Sequence, residues 1–302
     1  KVAEDGDILI SVRAPIGAMN MAVERCCIGR GLAALTPIRN KCSKQFLYYA
    51  LQSKVDSLIA QGTGSTFKAI SKKVLEATCI PAYSTTEQEQ IAETIGHVDN
   101  TIAARRKQLA LLDQLVKSRF IELFGDPELN PRGLPVLPWN AVFQTTTGKL
   151  DSNAMVENGR YPFFTCAKES YKIDSYAFDC EALLLAGNNA AGIYDVKHYK
   201  GKFNAYQRTY VLRLMNEKWS YILFKRQLED KLRYLQSQSK GTNTRYLTLG
   251  ILNELRFVVP PIAEQEQFAA FVEQTDKSKL AVQKGLQELE ILKKSLMQQY
   301  FG

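Results

Sequence analysis

The chain contains a long internal repeat. The sequence Glu-Gln-Glu-Gln at 87–90 opens an amphipathic segment that ends at Phe124-Gly125, and the same four residues at 264–267 open a second segment that ends at Phe301-Gly302, 177 positions later. Solenoid repeats have periods of roughly 20 to 50 residues, so this repeat belongs to another architecture. It predicts two copies of one unit, each a globular part followed by a long helix, related by pseudo-two-fold symmetry.

The similarity continues upstream of both segments, at an offset of 179. Gly62-Thr63 matches Gly241-Thr242, and Pro81 matches Pro260. We assign the two-residue difference to the turn between Pro81 and Glu87. The repeat therefore includes the end of each globular part as well as the helix.

Boundary signals frame the first amphipathic segment. Thr86 and Glu89 have the spacing of a capping box, and Gly125 followed by Pro127 is a C-terminal stop signal. These signals predict a helix over 86–124, and the repeat predicts a second one over 263–302. A helix of 38 residues would be ~57 Å long at 1.5 Å per residue.

Apolar residues recur at intervals of three and four along both helices, which is the pattern of a coiled-coil seam. The predicted seam residues are Ile91, Ile95, Val98, Leu109, Leu112, Phe268, Val272, Leu286, Leu289, Leu292 and Leu296. Thr275 and Lys279 interrupt the second row, so we expect the seam to be weakest there. Each helix needs a partner for its apolar stripe. The economical partner is the other helix in antiparallel orientation, and a second chain is the alternative.

The rest of the sequence is typical of mixed α/β domains. Strands are predicted over 7–12, 32–36, 77–80, 139–143, 182–185, 210–214 and 256–259, helices over 43–59 and 219–235, and a turn over 145–149. The segments are a first domain (1–85), a first long helix (86–125), a linker (126–137), a second domain (138–262) and a second long helix (263–302). Nothing in the first domain matches 139–179, so we expect that domain to be incomplete at its N-terminal side. The predicted class is α+β: two globular α/β domains separated by two long helices that form an antiparallel coiled coil.

The net charge of +8 is carried by the globular domains. Residues 1–85 hold 11 basic against 6 acidic residues and 138–262 hold 17 against 11, whereas each long helix has one acidic residue in excess. If the excess serves a polyanion, the globular domains contact it and the helices have another role. A surface adapted to solubility is the alternative.

Composition favours a soluble cytoplasmic protein. No apolar stretch approaches the roughly 20 residues that cross a bilayer, and no signal peptide is recognised before Lys1. The six cysteines lack Cys-x-x-Cys spacing and only two histidines accompany them. We therefore expect buried thiols in a reducing compartment and no metal site.

The sequence holds no recognisable catalytic motif. It has no Walker A pattern, no Asn/Asp-Pro-Pro-Tyr/Phe motif of amino-methyltransferases and no set of serine, histidine and aspartate suited to nucleophilic catalysis. Asp195-Val196-Lys197 is the nearest nuclease-like element, but a metal-dependent nuclease needs further carboxylates. We expect this chain not to be an enzyme.

Three features together carry a family resemblance. They are the polar segments 62–67 and 240–246 before the last strand of each domain, the Glu-Gln-Glu-Gln helix starts, and Trp139 opening the second domain after Phe124-Gly125-Asp126-Pro127. In this layout the chain resembles the specificity subunit of Type I restriction-modification systems, over nearly its whole length.

The resemblance implies a non-catalytic subunit of a restriction endonuclease and adenine DNA methyltransferase complex. Each globular part would be a target-recognition domain for one half of a bipartite double-stranded DNA site. The helices would set the spacing of the half-sites and bind modification subunits, and a restriction or motor subunit would join through the complex. The resemblance also implies that this chain binds no cofactor, with S-adenosylmethionine, ATP and Mg²⁺ held by partner subunits.

DNA contacts are expected from polar and forked side chains on loops, because asparagine and glutamine pair with adenine and arginine with guanine. The candidates are Arg13, Gln61, Thr63, Ser65, Thr66, Lys68, Lys168, Asn188, Asn189, Gln207, Arg208, Lys240, Thr242, Asn243, Thr244 and Arg245. The alternative for 62–65 and for Asn188-Asn189 is a role as turn formers. We interpret Tyr206, Tyr210 and Tyr246 as packing residues.

Three hypotheses from different classes remain at this point. The first is a sequence-specific DNA-binding specificity subunit, and the second is a coiled-coil scaffold or oligomerisation protein whose globular domains bind protein. The third is a nuclease or methyltransferase in its own right. Salt-dependent duplex binding would count against the second, and turnover by the purified chain would favour the third.

Overall fold

The computed structural model describes residues 1–64 and 68–302, and it divides the chain into two units. The first unit comprises Lys1–Leu111 with Lys279–Gly302, and the second is Leu112–Ser278. Two candidate DNA contacts, Ser65 and Thr66, lie outside the described residues, as does Phe67. Each unit therefore contains a globular part and a section of both long helices.

In the first unit, five short strands precede three short helices and the start of a long one. The strands are β1 (Val2–Ala3), β2 (Ile8–Ser11), β3 (Met19–Met21), β4 (Cys26–Cys27) and β5 (Leu32–Leu35), and the helices are α1 (Lys44–Ser53), α2 (Val55–Ala60), α3 (Lys72–Glu76) and α4 (Thr85–Phe124). An antiparallel sheet has the order β3-β2-β5, and β1 pairs with β4. Ile10, Leu58 and Ile70 are buried between this sheet and the short helices.

In the second unit, a larger sheet packs against short helices. Its strands are β6 (Val136–Pro138), β7 (Phe143–Thr147), β8 (Tyr161–Phe164), β9 (Tyr171–Ile173), β10 (Phe178–Ala186), β11 (Asn188–Asn189), β12 (Val196–Ala205), β13 (Thr209–Leu214), β14 (Arg245–Tyr246) and β15 (Arg256–Val258). Its helices are α5 (Trp139–Val142), α6 (Tyr221–Asp230), α7 (Leu232–Gln238), α8 (Leu249–Asn253) and the first part of α9 (Ile262–Phe301). The main sheet has the order β7-β13-β10-β12-β8-β9. Its core is aromatic, with Trp139, Phe143, Phe224 and Phe257 all buried.

Helices α4 and α9 run antiparallel in each unit. In the first unit, Lys293 Nζ lies 2.7 Å from Asp99 Oδ1 and Arg106 lies 2.7 Å from Glu290 Oε1, so numbers rise along one helix as they fall along the other. In the second unit, Phe268 packs against the rings of Phe120 and Phe124 at centroid distances of 5.6 and 5.7 Å. The predicted pairing of the two long helices is confirmed.

Leu292 is not a seam residue, and the prediction for it is wrong. Ile91, Ile95 and Phe268 are buried, and Val98, Leu109, Leu112, Val272, Leu286, Leu289 and Leu296 are half-buried, but Leu292 is 46% exposed. A step of three residues from Leu286 leads to Leu289, and the following step of four leads to Lys293 rather than to Leu292. Lys293 forms an ion pair with Asp99 on α4. An ion pair therefore occupies the position that an apolar pattern assigned to the neighbouring leucine.

The expected interruption at Thr275 is also absent. Thr275 is 5% exposed, and its hydroxyl donates a hydrogen bond of 2.9 Å to the Phe271 carbonyl. A threonine in a helix can satisfy its hydroxyl on the preceding turn in this way, so it packs in the seam without an unpaired polar group.

A buried glutamine joins the start of each long helix to the globular part beside it. Gln88 Oε1 accepts a hydrogen bond from the Ser43 amide at 2.9 Å, and Gln265 Oε1 accepts one from the Ser220 amide at 3.0 Å. Each glutamine also donates to a carbonyl of the turn before its own helix, from Tyr83 and Pro260 respectively. Ser43 and Ser220 precede α1 and α6, so the same pair of bonds fixes the same junction twice.

The structural repeat has a single offset of 177 from α1 to α4, so the two-residue difference predicted between Pro81 and Glu87 is absent. Helices α1, α2, α3 and α4 begin 177 positions before α6, α7, α8 and α9. A different two-residue insertion is present in the second unit, in the turn that follows β10. Six residues separate the bonded pair Ser11 and Ala18 after β2, and eight separate the equivalent pair Ala186 and Asp195. The short Gly-Thr match had misaligned a polar loop, and insertions concentrate in such loops.

Three local predictions are corrected by the structure. Residues 139–142 form a helical turn between strands, because the buried ring of Trp139 packs on Phe257. The predicted turn over 145–149 is largely β7, which pairs with β13. Residues 77–80 form no strand, whereas β15 at the equivalent place in the second unit pairs with β6.

The cap of the first long helix is also shifted by two residues. Ser84, rather than Thr86, precedes the helix, and its amide and hydroxyl donate to Glu87 Oε2 at 2.8 and 2.7 Å. These hydrogen bonds lower the pKa of the Glu87 carboxyl, because they favour its charged form.

Tyr49 makes the first unit sensitive to alkaline pH. Burial and the neighbouring Asp99 carboxylate raise the pKa of Tyr49 from 10.0 to about 12. Its contribution to stability is therefore complete below pH 10 and lost as the pH rises from 10 to about 12. Between pH 10 and about 12 we expect the unfolding free energy of the native chain to fall more than that of the Tyr49→Phe variant. Urea unfolding followed by circular dichroism at each pH measures this difference. Tyr176→Phe, at a residue 45% exposed, is the control; equal losses in all three proteins would refute the assignment.

Candidate nucleic-acid interface

Five loops of the second unit meet at one end of its main sheet. They are 148–151 after β7, 165–168 after β8, 187–194 after β10, 206–208 between β12 and β13, and 239–246 after α7. Eight of the ten DNA-contact candidates predicted for this domain are exposed on these loops, and Asn188 and Asn189 are half-buried. Residues separated by up to about 80 positions are thus brought to one surface.

Backbone hydrogen bonds connect the loops rigidly. The Gly187 amide donates to the Arg208 carbonyl at 2.8 Å, and the Leu247 amide donates to the Gly187 carbonyl at 2.8 Å. A side chain at Gly187 would place its Cβ 2.3 Å from the Arg208 carbonyl oxygen, so this crossing requires glycine. The close approach fixes the backbone of Arg208 against the loop that follows β10.

The turn 206–208 presents Gln207 and Arg208 to solvent. The Gln207 amide donates to the Leu150 carbonyl at 2.9 Å, and Gln207 Nε2 lies 3.4 Å from Asp151 Oδ2. Because the backbone is held from both sides, the Arg208 side chain is exposed on an ordered turn. This is a suitable base-contacting geometry for a forked donor.

The segment 240–246 forms a hairpin-like loop against β11. Lys240 and Tyr246 exchange backbone hydrogen bonds of 3.0 and 2.8 Å, and Asn188 and Asn189 pair with Tyr246 and Arg245. Thr242, Asn243 and Thr244 lie exposed at its tip. Tyr246 pairs with Asn188 in the two-stranded sheet and is 40% exposed, so its ring is only partly covered by this packing. By contrast, Tyr210 is half-buried, donates to the Leu247 carbonyl at 3.0 Å and has its pKa raised by burial.

Asn189 has a structural role in this loop. Its Oδ1 accepts hydrogen bonds from the amides of Ala191 and Ile193 at 2.9 and 3.4 Å. This is the turn-forming geometry that was the alternative to base contact. The acceptor of this side chain is therefore engaged within the protein.

The surface formed by these loops is basic. Lys149, Lys168, Arg208, Lys240 and Arg245 are exposed there. Lys197 is neutralised by Asp195 at 2.6 Å and also donates to the Ala167 carbonyl, so the nuclease-like Asp195-Val196-Lys197 is a structural ion pair. Lys149 was missed from the sequence because the segment around it was interpreted only as a turn.

The first unit repeats the arrangement. Arg13 and Thr63 each form a backbone bridge with Ala69, as Asn188 and Lys240 do with Tyr246 in the second unit. Arg13, Gln61, Thr63 and Lys68 are exposed. The side-chain amide of Gln61 donates a hydrogen bond from Nε2 to the Ser57 carbonyl. The turn that is two residues shorter here is the one that carries Arg13, so the two surfaces have related backbones and different side chains.

The described residues contain no cluster of three histidine, cysteine or carboxylate side chains placed to hold a metal ion. All six cysteines are free; Cys27 and Cys79 are exposed and the others half-buried, so the expectation of buried thiols is wrong. Within the described ranges, no helix combines the length and apolarity that membrane crossing requires.

Comparisons with known proteins agree on one family. The family described as "Type I restriction modification DNA specificity domain" matches residues 1–114 and 140–291. The specificity subunit of the Type I restriction enzyme EcoDI from Escherichia coli is 38% identical over 141 residues, which cover 45% of this chain and 30% of that protein. The MjaIX specificity subunit of Methanocaldococcus jannaschii is 24% identical, over 98% of this chain and 77% of its own length.

Among solved structures, the S subunit of a Type I restriction-modification system from M. genitalium has a similar fold. The TM-score is 0.67 at 18% identity, and the match covers 99% of this chain and 84% of that one. The chain spans less than a third of the E. coli relative and a larger share of the archaeal one.

Proposed function

The chain belongs to the Type I restriction-modification DNA specificity family, the non-catalytic component of these systems, and from this premise we propose that its two loop surfaces read the two halves of a bipartite DNA site. The observation that carries the proposal is the repeated surface. In both units, a polar loop forms a backbone bridge with the segment that follows the central strand, β2 or β10, and exposes polar and basic side chains. Related backbones with different side chains suit two half-sites of different sequence.

In this proposal the helices α4 and α9 set the spacing between half-sites and bind modification subunits. Apolar side chains exposed along them support the second role. They are Leu111, Leu280, Ile291 and Leu292 in the first unit, and Leu115 and Ile121 in the second. Removal of such side chains from water favours association with another protein surface. We assign S-adenosylmethionine, ATP and Mg²⁺ to partner subunits, with a restriction or motor subunit joining through the complex.

The proposal is tested by gel-shift competition with the chain in complex with modification subunits. We expect one bipartite duplex to compete far better than duplexes in which either half or the gap is changed. Equal competition by every duplex would contradict sequence-specific recognition and would leave the scaffold hypothesis.

Arg208→Ala and Arg245→Ala test the interface residue by residue. Each is expected to weaken binding of the preferred duplex by about 1–3 kcal/mol if the guanidinium contacts guanine bidentately, with unfolding unchanged. Arg160→Ala is the matched control, because Arg160 is exposed at the start of β8, away from the strand ends that carry the loops. If Arg160→Ala weakened binding equally, bulk charge rather than base readout would explain the loss.

A further inference from the structure

An exposed apolar side chain lies on one loop of the candidate nucleic-acid interface. Ile193, in the loop 187–194, is 66% exposed. Among the described residues of the five interface loops, it is the only large aliphatic side chain that is exposed. Single exposed hydrophobic residues are common on protein surfaces, so the role of Ile193 has to be inferred from its surroundings.

The loop holds the backbone around Ile193 in a fixed position. The Ile193 amide donates a hydrogen bond of 3.4 Å to Asn189 Oδ1. Gly192 has a φ of +67°, and a Cβ added there would lie 2.7 Å from Arg245 Cδ. The aliphatic part of Arg245 therefore lies against the backbone just before Ile193, and these two exposed residues are neighbours on the interface.

The equivalent residue of the first unit is also an isoleucine, but it is buried. Ile16 and Ile193 each precede by two positions the residue that closes the turn, Ala18 or Asp195. Ile16 is 8% exposed and belongs to the core of the first unit. The same residue type therefore packs inside one unit and lies on the surface of the other.

Tyr194 explains why the core of the second unit does not need Ile193. Ile16 shares its core with Leu58. Tyr194 is 5% exposed and shares its core with Leu235, which is the equivalent of Leu58 at the offset of 177. A buried tyrosine thus contributes to the core at this turn, and the side chain of Ile193 remains available to a ligand.

The side chains that surround Ile193 on this surface are of the kind that contacts DNA. Lys168, Arg208, Lys240 and Arg245 are exposed on the neighbouring loops, whereas the loop 187–194 carries no charged side chain. Isoleucine can neither donate nor accept a hydrogen bond, so a polar base edge placed against it would lose its partners. Thymine presents an apolar group, its 5-methyl, in the major groove. Contact with that methyl group is therefore the base readout that suits an exposed isoleucine.

We propose that Ile193 is a specificity-determining residue whose side chain contacts the 5-methyl group of a thymine, in the major groove of the half-site read by the second unit. The inference rests on the proposed function, since it assumes that the second unit reads one half of a DNA site. Because Ile16 is buried in the first unit, the contact belongs to one half-site only.

Uracil tests the proposal, because it pairs like thymine and lacks only the 5-methyl group. The preferred bipartite duplex is first identified by gel-shift competition with the chain in complex with modification subunits. Each thymine of both half-sites is then replaced in turn by uracil. At one thymine we expect the native complex to bind the uracil duplex about fourfold more weakly, which is the effect of one buried methyl group.

Two substitutions of Ile193 separate the methyl contact from other roles. Ile193→Ala removes every atom beyond Cβ, and we expect it to bind the thymine and uracil duplexes equally at the position where the native complex distinguishes them. Ile193→Val keeps a branched apolar side chain and should still prefer thymine. Because Ile193 is 66% exposed, both variants are expected to fold and to assemble with modification subunits.

Met215→Ala is the matched control, because Met215 is 59% exposed and follows β13 at the end opposite to the turn 206–208. It should distinguish thymine from uracil as the native complex does. Native binding that no uracil substitution weakens would overturn the proposal and leave bipartite recognition in place, as would unchanged discrimination by Ile193→Ala.

Two other results would assign Ile193 a different role. If Ile193→Ala weakened binding of both duplexes by the same factor, the proposal would be overturned in favour of a wedge between base pairs. Loss of assembly with modification subunits would overturn it in favour of a protein contact. A native complex with no preferred duplex would refute the proposed function itself, and this inference with it.

Discussion

Replacing Trp139 with alanine is expected to lower the unfolding free energy of the second unit by about 3–5 kcal/mol, the usual cost of truncating a buried large aromatic residue. Trp139 is 1% exposed, and its ring lies 4.8 Å from Phe143 and 6.0 Å from Phe257. The substitution removes these contacts and leaves the Thr145 hydroxyl without its indole donor. Both effects fall on the segment that joins β6 to β7.

Urea unfolding followed by circular dichroism measures this loss. Trp219→Ala is the matched control, because Trp219 is the other tryptophan and is only half-buried against the same core. We expect the control to cost clearly less. A loss below about 1 kcal/mol for Trp139→Ala would mean that the core of the second unit does not depend on this segment.

Trp139 also shows where local sequence patterns fail. The run 139–143 has an aromatic and apolar composition that favours a strand, yet residues 139–142 form a helical turn. The ring must reach Phe257, more than 100 residues away in the sequence, and this tertiary contact overrides local propensity. The long helices, β10 and β13 were predictable because their patterns are long and their environments uniform.

The seam illustrates the same limit at the level of single residues. The three-four periodicity predicted most of the packed positions, but it selected Leu292 over Lys293 because it weighs only hydrophobicity. Lys293 lies in the row because Asp99 on α4 accepts its charge. No local pattern reports a partner on another helix.

The candidate interface was predictable in its residue types and not in its construction. Polar loop residues such as Arg208 and Thr242 were selected because base contact requires them. The hydrogen bond from the Gly187 amide to the Arg208 carbonyl joins two loops that are separate in the sequence. The engagement of Asn189 Oδ1 by the Ala191 amide is a local turn, which the residue type alone does not distinguish from base contact. Structure therefore separates residues that shape the loops from residues that remain available to a ligand.

Gln265→Ala is expected to lower the unfolding free energy of the second unit by roughly 2–6 kcal/mol. Gln265 is 0% exposed, and its amide group bonds to the Ser220 N–H at 3.0 Å and to the Pro260 carbonyl at 2.8 Å. Alanine leaves both backbone groups unpaired in a buried place, and each such group costs about 1–3 kcal/mol. Because Ser220 precedes α6, the same change releases that helix start from the first turn of α9.

Gln267→Ala, two residues further along α9 at an exposed position, is the matched control and should change stability by less than about 0.5 kcal/mol. Gln88→Ala is expected to have the corresponding effect in the first unit, since Gln88 is 5% exposed and makes the equivalent bonds. If Gln265→Ala unfolded at the same urea concentration as Gln267→Ala, these hydrogen bonds would not hold the junction. If it were destabilised as expected and the complex with modification subunits also lost its preference for one bipartite duplex, the junction would be linked to half-site reading. Both copies of the repeat would then share a helix junction that DNA reading requires, in addition to a common fold.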